Sequence, residues 1–165
     1  MPPLTTSRAE PDDIPSIAIL LEEMDRFYGA TTFSPLEDRL AAIKTNLFEE
    51  NLGIHLMLAR KNNEVVGLAS YSFLWPAVGV TRSLYLKELY VSKLHRRQGI
   101  GNLLMKTLME VAVENDCSRL EWTTDLENED AQHFYRQFGS NQLSTKAFYR
   151  LTDFRQTSRA INHPH

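Results

Sequence analysis

The chain has 165 residues, of which 42% are hydrophobic and 24% charged, with a net charge of -3 and a pI of about 6.0. These values predict one soluble globular domain, and they argue against a basic nucleic-acid-binding face and against a membrane-spanning run of ~20 apolar residues. The single cysteine, Cys117, excludes an internal disulfide, and no basic segment followed by an apolar block opens the sequence. We therefore expect a cytoplasmic protein without a secretory signal.

The first half of the sequence predicts a strand, two helices and a β-hairpin. Apolar residues recur at helical spacing from Ile14, after the possible caps Asp12 and Asp13, until Gly29. A second helix starts at Pro35, and a turn-like Lys-Asn-Asn run separates two strand-like segments. In order, the predicted elements are a strand at 4–9, helices at 14–28 and 35–47, and hairpin strands at 54–59 and 64–75.

The second half predicts alternating strands and helices. The elements are a strand at 83–91, a helix at 99–114, a strand at 119–124, a helix at 128–138 and a last strand at 146–151. The remaining tail has no periodicity, so we expect it to be loosely ordered or to cover a neighbouring subunit. This order predicts an α/β fold with helices on both faces of one sheet, in a domain at 1–152 followed by a tail at 153–165.

A basic, glycine-bearing turn joins the strand at 83–91 to the next helix. The first turn of a helix leaves backbone N–H groups without partners, and the helix dipole adds partial positive charge. Glycine allows an anion to approach the main chain, and Arg96 and Arg97 can add charge-assisted hydrogen bonds. The turn therefore predicts an anion site that is neither a P-loop nor a dinucleotide fingerprint. The alternative is that Gly99 and Gly101 serve only close packing.

Two sequence blocks resemble the GNAT acetyltransferase superfamily. The first matches its Arg/Gln-x-x-Gly-x-Gly/Ala signature, and the second resembles its Asn-x-x-Ala-x-x-Phe-Tyr…Gly helix, which ends here at Gly139. The second block is most similar to the polyamine and thialysine acetyltransferase branch. The resemblance covers roughly residues 4–151 and implies a mixed, mostly antiparallel central sheet with helices on both faces. The first block reads Arg96-Arg97-Gln98-Gly99-Ile100-Gly101, and the second runs from Asn128 to Tyr135.

The resemblance implies acetyl-coenzyme A as cosubstrate. In this family the third strand after the helices splays from its neighbour, and its exposed edge pairs with the pantetheine. Carried onto this chain, the backbone of Leu89, Tyr90 and Val91 holds pantetheine and thioester, and residues 96–101 hold the diphosphate. Asn128 and Tyr135 complete the cofactor side. The histidines show no metal-ligand spacing, so we expect no metal.

Tyr135 is the general acid that the resemblance implies. A phenol is neutral at working pH and can donate a proton to the departing thiolate. The alternative is packing, because Tyr135 lies at helical spacing with Ala131 and Phe138.

Glu88 is the candidate base. It stands mid-strand, on the same alternation as Leu86 and Tyr90, where a carboxylate costs desolvation unless it is paired or hydrated. It can accept the amine proton through water, bind the substrate ammonium, or form a structural charge pair. The polyamine branch carries an acidic residue just before this position, and here that residue is Lys87, which argues against a polyamine substrate.

Aromatic side chains are candidates for the walls of an acceptor site. Core packing is the alternative for those on the hairpin strand. Glu22, Glu23 and Asp25 could attract a cation, or could form the solvated face of the first helix. The aromatic candidates are Tyr28, Phe33, Tyr71, Phe73 and Trp75.

The sequence thus predicts an N-acetyltransferase that moves acetyl from acetyl-CoA directly to a primary amine of a small molecule, in a ternary complex. Diamines, amino acids and amino sugars all stay open as acceptors. The alternatives are a protein lysine or N-terminal acetyltransferase, a non-catalytic acyl-CoA sensor, and a nucleotide-dependent enzyme that uses the same turn. Related enzymes are often homodimers, so the resemblance implies a homodimer with no nucleic-acid or membrane partner.

Overall fold

A computed structural model describes residues 2–161 of the chain. The chain divides into two compact units, Met1–Thr123 and Thr124–His165. The first unit contains a five-stranded sheet in the order β1-β2-β3-β4-β5, with three helices. Its elements are β1 (Leu4–Arg8), α1 (Ile14–Phe27), α2 (Leu36–Phe48), β2 (Ile54–Lys61), β3 (Glu64–Leu74), β4 (Arg82–Val91), α3 (Ile100–Glu114) and β5 (Cys117–Trp122).

Antiparallel pairing runs from β1 through β4, and β5 joins β4 in parallel. The β2–β3 turn uses Asn62 and Asn63 with positive φ, at 51° and 65°, as a tight hairpin requires. The predicted mixed, mostly antiparallel sheet is confirmed.

Helices cover both faces of this sheet. On one face, Ile17, Leu20 and Met24 of α1 pack in a buried cluster with β2, β3 and β4. On the other face, α3 lies so close to β3 that a Cβ on Gly67 would come within 3.0 Å of Ile100 Cγ2. Glycine at this position therefore permits the close approach of helix and strand. The predicted layering is confirmed.

A bulge in β4 changes which side chains face which layer. Ser70 of β3 pairs with Glu88, whereas its neighbour Tyr71 pairs with Leu86, so Lys87 is an extra residue. Because side chains alternate between faces, the extra residue places Glu88 on the opposite face from Leu86. The prediction that these two share a face is wrong, since alternation along one strand does not reveal an inserted residue.

The second unit contains α4 (Glu129–Arg136) and α5 (Phe154–Ile161). The predicted strand at 146–151 is wrong: this stretch is neither strand nor helix, and Phe148, Tyr149 and Leu151 are exposed. A strand needs a partner for its backbone groups, and none in the described part of the chain supplies one. The prediction of a loosely ordered tail is also wrong for 154–161, which contains no glycine or proline and is helical. Residues 162–165 lie outside the described residues.

No helix in residues 2–161 combines the length and the hydrophobicity that crossing a membrane requires.

Candidate active site

The parting of β4 from β5 opens one edge of the sheet. The parallel ladder ends where Leu86 pairs with Trp122, but β4 continues to Val91. Beyond Leu86, the described part of β4 is therefore not paired with β5. Backbone groups of Leu89, Tyr90 and Val91 thus lie along a strand edge that is not used by the sheet. This agrees with the splayed strand that the resemblance implies.

The turn that follows β4 ends in an uncapped helix start. Gly99 precedes α3 with a left-handed φ of 79°, and no side chain caps this end of the helix. A Cβ built on Gly99 would meet no atom within 4 Å, so the space beside it is open. Ile100 buries its side chain and offers only its amide. The first amides of α3 therefore combine free donors, the positive end of the helix dipole and open space, as an anion site requires.

The two arginines of the turn are placed differently. Arg96 is half-buried, with its guanidinium 4.6 Å from the centroid of the Phe27 ring. It donates to the carbonyl of Val91 and the hydroxyl of Tyr90, each at 3.3 Å. Arg97 is exposed and has a left-handed φ of 61°. Arg96 is thus a fixed positive charge beside the turn, while Arg97 can adapt to a bound anion.

Gln98 connects the turn to the sheet. Its Oε1 accepts a hydrogen bond of 2.6 Å from Lys61 Nζ at the end of β2. Lys61 thereby adds another positive charge near the start of α3.

Glu23 of α1 holds the turn in place by accepting three hydrogen bonds. The Lys93 amide and the Tyr90 hydroxyl donate to its Oε1 at 2.6 and 3.0 Å, and the Ser92 hydroxyl donates to Oε2 at 3.3 Å. Burial, and then the bond to Glu23, raise the pKa of Tyr90 above its usual value, so the phenol stays neutral. From the sequence, two roles were open for Glu23: attraction of a substrate cation, or a position on the solvated face of the first helix. Its actual partners stand about 70 positions away and carry no local sequence signal.

A cavity of about 400 Å³ lies between α1, α2 and the sheet. Its wall is mainly apolar, and its polar lining includes Ser70, Glu88 and Asp25. The β4 bulge explains the presence of Glu88, because it turns this side chain to the face that also carries Ser70. Asp25 stands eight residues after Ile17, on the same helical stripe. An acidic residue on an apolar stripe is the sequence signal that could have placed Asp25 at the cavity.

An ion-pair cluster lies at the α1–α2 side of the cavity. Glu22 accepts hydrogen bonds from Arg26 at 2.7 Å and from Arg39 of α2 at 2.8 Å. These bonds, led by that from Arg26, lower the pKa of Glu22. The Arg26 guanidinium also lies 4.3 Å from the ring centroid of Phe33, in the loop between the helices. Arg39 was not among the predicted site residues.

The other predicted acceptor contacts lie away from the cavity lining. Tyr71 is 1% exposed, stacks on His55 with ring centroids 5.1 Å apart, and faces the side of the sheet opposite to Ser70. Burial raises its pKa. Trp75 is exposed and donates from Nε1 to the Val80 carbonyl, and Tyr28 is exposed beside Phe27. The structure favours packing for Tyr71, as it does for Phe73, which contacts the Tyr71 ring edge-on.

The second unit carries the remaining predicted residues. Asn128 caps α4, where its Oδ1 accepts a hydrogen bond of 3.1 Å from the Ala131 amide. Tyr135 lies on α4, half-buried, with its ring 5.1 Å from that of Phe134. Their roles toward a cofactor stay predictions. Within residues 2–161, no three His, Cys, Asp or Glu side chains lie together in an arrangement that could hold a metal ion.

Comparison with known proteins identifies the family of this chain. The sequence profile of the acetyltransferase (GNAT) family matches residues 17–139. The chain belongs to this family.

Several proteins with stated activities are similar in sequence to this chain. The chain is 29% identical to the mouse thialysine N-epsilon-acetyltransferase over 62% of its own length and 65% of that protein. It is 28% identical to an aminoalkylphosphonate N-acetyltransferase of Salmonella typhimurium over 86% of the chain and 88% of the relative. An integron cassette protein from the mobile metagenome of V. cholerae is similar in structure, with a TM-score of 0.83, 28% identity and coverage of 95% and 97%.

Proposed function

We propose that this protein transfers the acetyl group of acetyl-CoA to a primary amine of a small molecule. The observation that carries the proposal is the continuous path from the free edge of β4 to the uncapped start of α3 at Gly99. Backbone donors and acceptors at such an edge suit the amide groups of pantetheine, and an open helix start suits its diphosphate.

The residues at this path fit acetyl-CoA. Leu89, Tyr90 and Val91 hold pantetheine and thioester through their backbone, and residues 96–101 hold the diphosphate, with Arg97 as the adaptable charge. A Cβ at position 99 would enter the open space of the cradle, and the left-handed φ of 79° at Gly99 also favours glycine there. Asn128 and Tyr135 are assigned to the cofactor side from their motif alone.

The reaction requires one nucleophilic displacement, the loss of two protons from the nitrogen and the gain of one proton by the sulfur. The amine is mostly protonated at neutral pH, so it first loses a proton, which Glu88 accepts through water. The neutral nitrogen attacks the thioester carbonyl carbon. A C–N bond forms, the C–S bond breaks, and the nitrogen loses its second proton to water. The thiolate takes a proton from Tyr135, whose phenolate is then reprotonated from water. A main-chain N–H near Tyr90 stabilises the oxyanion, an effect often worth ~3 kcal/mol of barrier.

Small molecules are the acceptor class that the relatives support. Thialysine and aminoalkylphosphonate name the substrates of two of them, and each is a small amine. Glu88 in the wall of a partly open cavity of about 400 Å³ fits an acceptor of that size better than a folded protein surface.

A thiol-release assay tests the proposal. Purified protein is incubated with acetyl-CoA and a panel of polyamines, amino acids, aminoglycosides and peptides, and product is confirmed by mass spectrometry. We expect amine-dependent thiol release with at least one small amine. Saturable acetyl-CoA binding without release on any amine would identify a sensor module, and no saturable binding would reject the cofactor assignment.

We also infer a homodimer. Phe148, Tyr149 and Leu151 are 64%, 89% and 64% exposed in one stretch, and neighbouring exposed apolar side chains of this kind suit a protein–protein contact. Light scattering after size-exclusion chromatography tests this, since a second copy doubles the mass. The cytoplasmic location stays a prediction.

A further inference from the structure

The start of α3 differs in charge from the starts of α2 and α4. The first turns of α2 and α4 each carry two acidic residues, which suit the positive end of a helix dipole. The first turn of α3 carries none, and no side chain caps it. The start of α3 therefore keeps its positive potential for another anion. The acidic residues are Glu37 and Asp38 in α2 and Glu129 and Asp130 in α4.

Lys61 brings a further positive charge to this start from a distant part of the sequence. It is the last residue of β2, and its Nζ donates a hydrogen bond of 2.6 Å to Oε1 of Gln98. Gln98 immediately precedes Gly99 and is itself held, since its Nε2 donates to the Leu94 carbonyl at 3.4 Å. The Gln98 side chain is neutral, so the bond positions the Lys61 ammonium ion without neutralising it.

The direction in which Lys61 extends is informative, because a carboxylate stands directly opposite it in the sheet. Glu64 pairs with Lys61 across the β2–β3 hairpin, and directly opposite residues of antiparallel strands have their side chains on one face. The two nevertheless form no ion pair in the described part of the chain. Lys61 instead extends toward the start of α3, and its ammonium has two N–H donors besides the one that Gln98 accepts.

Three cationic side chains thus belong to residues 96–101 or bond to them. They are those of Lys61, Arg96 and Arg97, and none forms an ion pair with a carboxylate within residues 2–161. Glu23, the carboxylate that holds the turn, bonds instead to two hydroxyl groups and a main-chain amide. Because like charges repel one another, such a cluster gains free energy when an anion with several negative charges binds.

We propose that Lys61 is a further cofactor-binding residue, whose ammonium ion, positioned by Gln98, donates hydrogen bonds to a phosphate group of acetyl-CoA at the start of α3. This inference rests on the proposed function and adds a residue that lies outside both sequence blocks of the resemblance. Acetyl-CoA offers two phosphate sources, its diphosphate and the 3′-phosphate of its ribose, and both present charged oxygen atoms. A bond that only ties the hairpin to the turn would not depend on the charge of Lys61.

Three substitutions separate charge from structure. Lys61→Gln keeps an N–H donor for Gln98 and removes the charge, so the Kd for acetyl-CoA, measured by calorimetry at low ionic strength, should rise about tenfold. Lys61→Arg keeps the charge and should bind within about twofold of the parent. Lys106→Gln, at an exposed position of α3, removes the same charge elsewhere and should leave the Kd unchanged. Added salt should weaken binding by the parent more than binding by Lys61→Gln, because salt screens charges.

A ligand series identifies the phosphate group. The Kd values of the parent and of Lys61→Gln are compared for acetyl-CoA, for its 3′-dephospho form and for S-acetylpantetheine, whose weaker binding is followed by NMR titration. We expect the tenfold loss with acetyl-CoA and no loss with S-acetylpantetheine, which has no phosphate. A loss that disappears with the dephospho form assigns Lys61 to the 3′-phosphate, and a loss that persists assigns it to the diphosphate.

The outcomes separate this inference from the proposed function. If the parent binds acetyl-CoA and transfers acetyl groups while Lys61→Gln binds equally well, the role of Lys61 is overturned and the acetyltransferase stands. An equal loss with S-acetylpantetheine, or a loss in Lys61→Arg as large as in Lys61→Gln, would also overturn it in favour of a structural link. Binding that depends on the Lys61 charge without turnover of any amine would support the inference and overturn the activity. No saturable binding of acetyl-CoA by the parent would overturn both.

Discussion

Two regions of the first unit contribute to the site in opposite ways. The β4–α3 turn is fixed by the hydrogen bonds that Glu23 accepts from Tyr90 and Lys93 and by the one that Arg96 donates to the Tyr90 hydroxyl. It offers a ligand mainly backbone groups. The cavity under α2 offers a ligand apolar side chains from four separate elements. The difference teaches that a binding turn can be built from one contiguous stretch of main chain, whereas the cavity is built from side chains that are far apart in sequence.

The largest expected effect concerns a residue outside both regions. Tyr135→Phe removes the proposed proton donor and keeps the ring, so kcat should fall about 100-fold. The Kd for acetyl-CoA and the KM for the amine should change less than twofold, because neither binding region is altered. Steady-state kinetics with calorimetry measures the three constants. An unchanged kcat would reject the general-acid assignment.

Gly99→Ala tests whether the turn binds its ligand through the main chain. The added Cβ occupies the open space at the helix start, and the Kd for acetyl-CoA should rise about tenfold with the amine constants unchanged. Gly53→Ala is the matched control, since Gly53 also has a left-handed φ, at 65°, and open space around its Cβ. Both variants should lose about 1–2 kcal/mol of stability from backbone strain. Equal acetyl-CoA affinities in the two variants would contradict the cradle.

Glu23→Ala separates positioning from direct binding. Loss of the three hydrogen bonds to Tyr90, Ser92 and Lys93 should loosen the turn and raise the Kd for acetyl-CoA about fivefold. The amine KM should stay constant, because Glu23 does not line the cavity. Glu23→Gln keeps acceptor and size, and should recover part of the affinity. A variant that shifts both sets of constants together would show that the two regions are not independent.

The smallest effect on activity is expected at Asp13, which belongs to neither region. Burial acts to raise its pKa, but hydrogen bonds from Arg60 and the Glu10 amide, with the Arg60 charge, hold the pKa below its ordinary value of 3.8. The carboxylate therefore stabilises the fold above pH 3.8, and this contribution is lost as the pH falls toward the lowered pKa.

Asp13→Asn should cost about 1–2 kcal/mol of unfolding free energy at pH 7, and the difference from the parent should shrink below pH 3.8. Urea unfolding at pH 7 and pH 3 measures it. Asp12→Asn, at an exposed neighbour, should cost nothing at either pH. A pH-independent loss for Asp13→Asn would reject the ion-pair explanation, and acetyl-CoA affinity should not change in either variant.

Most helices and strands could be predicted because their signals are local. The apolar spacing of α1 and α3, the Asn62-Asn63 turn and the glycine before α3 each act within a few residues. The segment at 146–151 could not be predicted correctly, since strand propensity is realised only where another strand supplies hydrogen bonds. The Lys87 bulge likewise depends on the register with β3.

For the site, the sequence by itself determined the glycine-bearing turn after β4, the acetyltransferase family and Glu88 as a candidate. These features reside in contiguous residues whose chemistry does not depend on distant neighbours. Only the tertiary structure decided that Glu88 faces the cavity while Tyr71 faces away, that Glu23 holds the turn, and that α2 lies over a mainly apolar cavity. The physical reason is that strand register and helix packing bring together side chains that no sequence spacing relates.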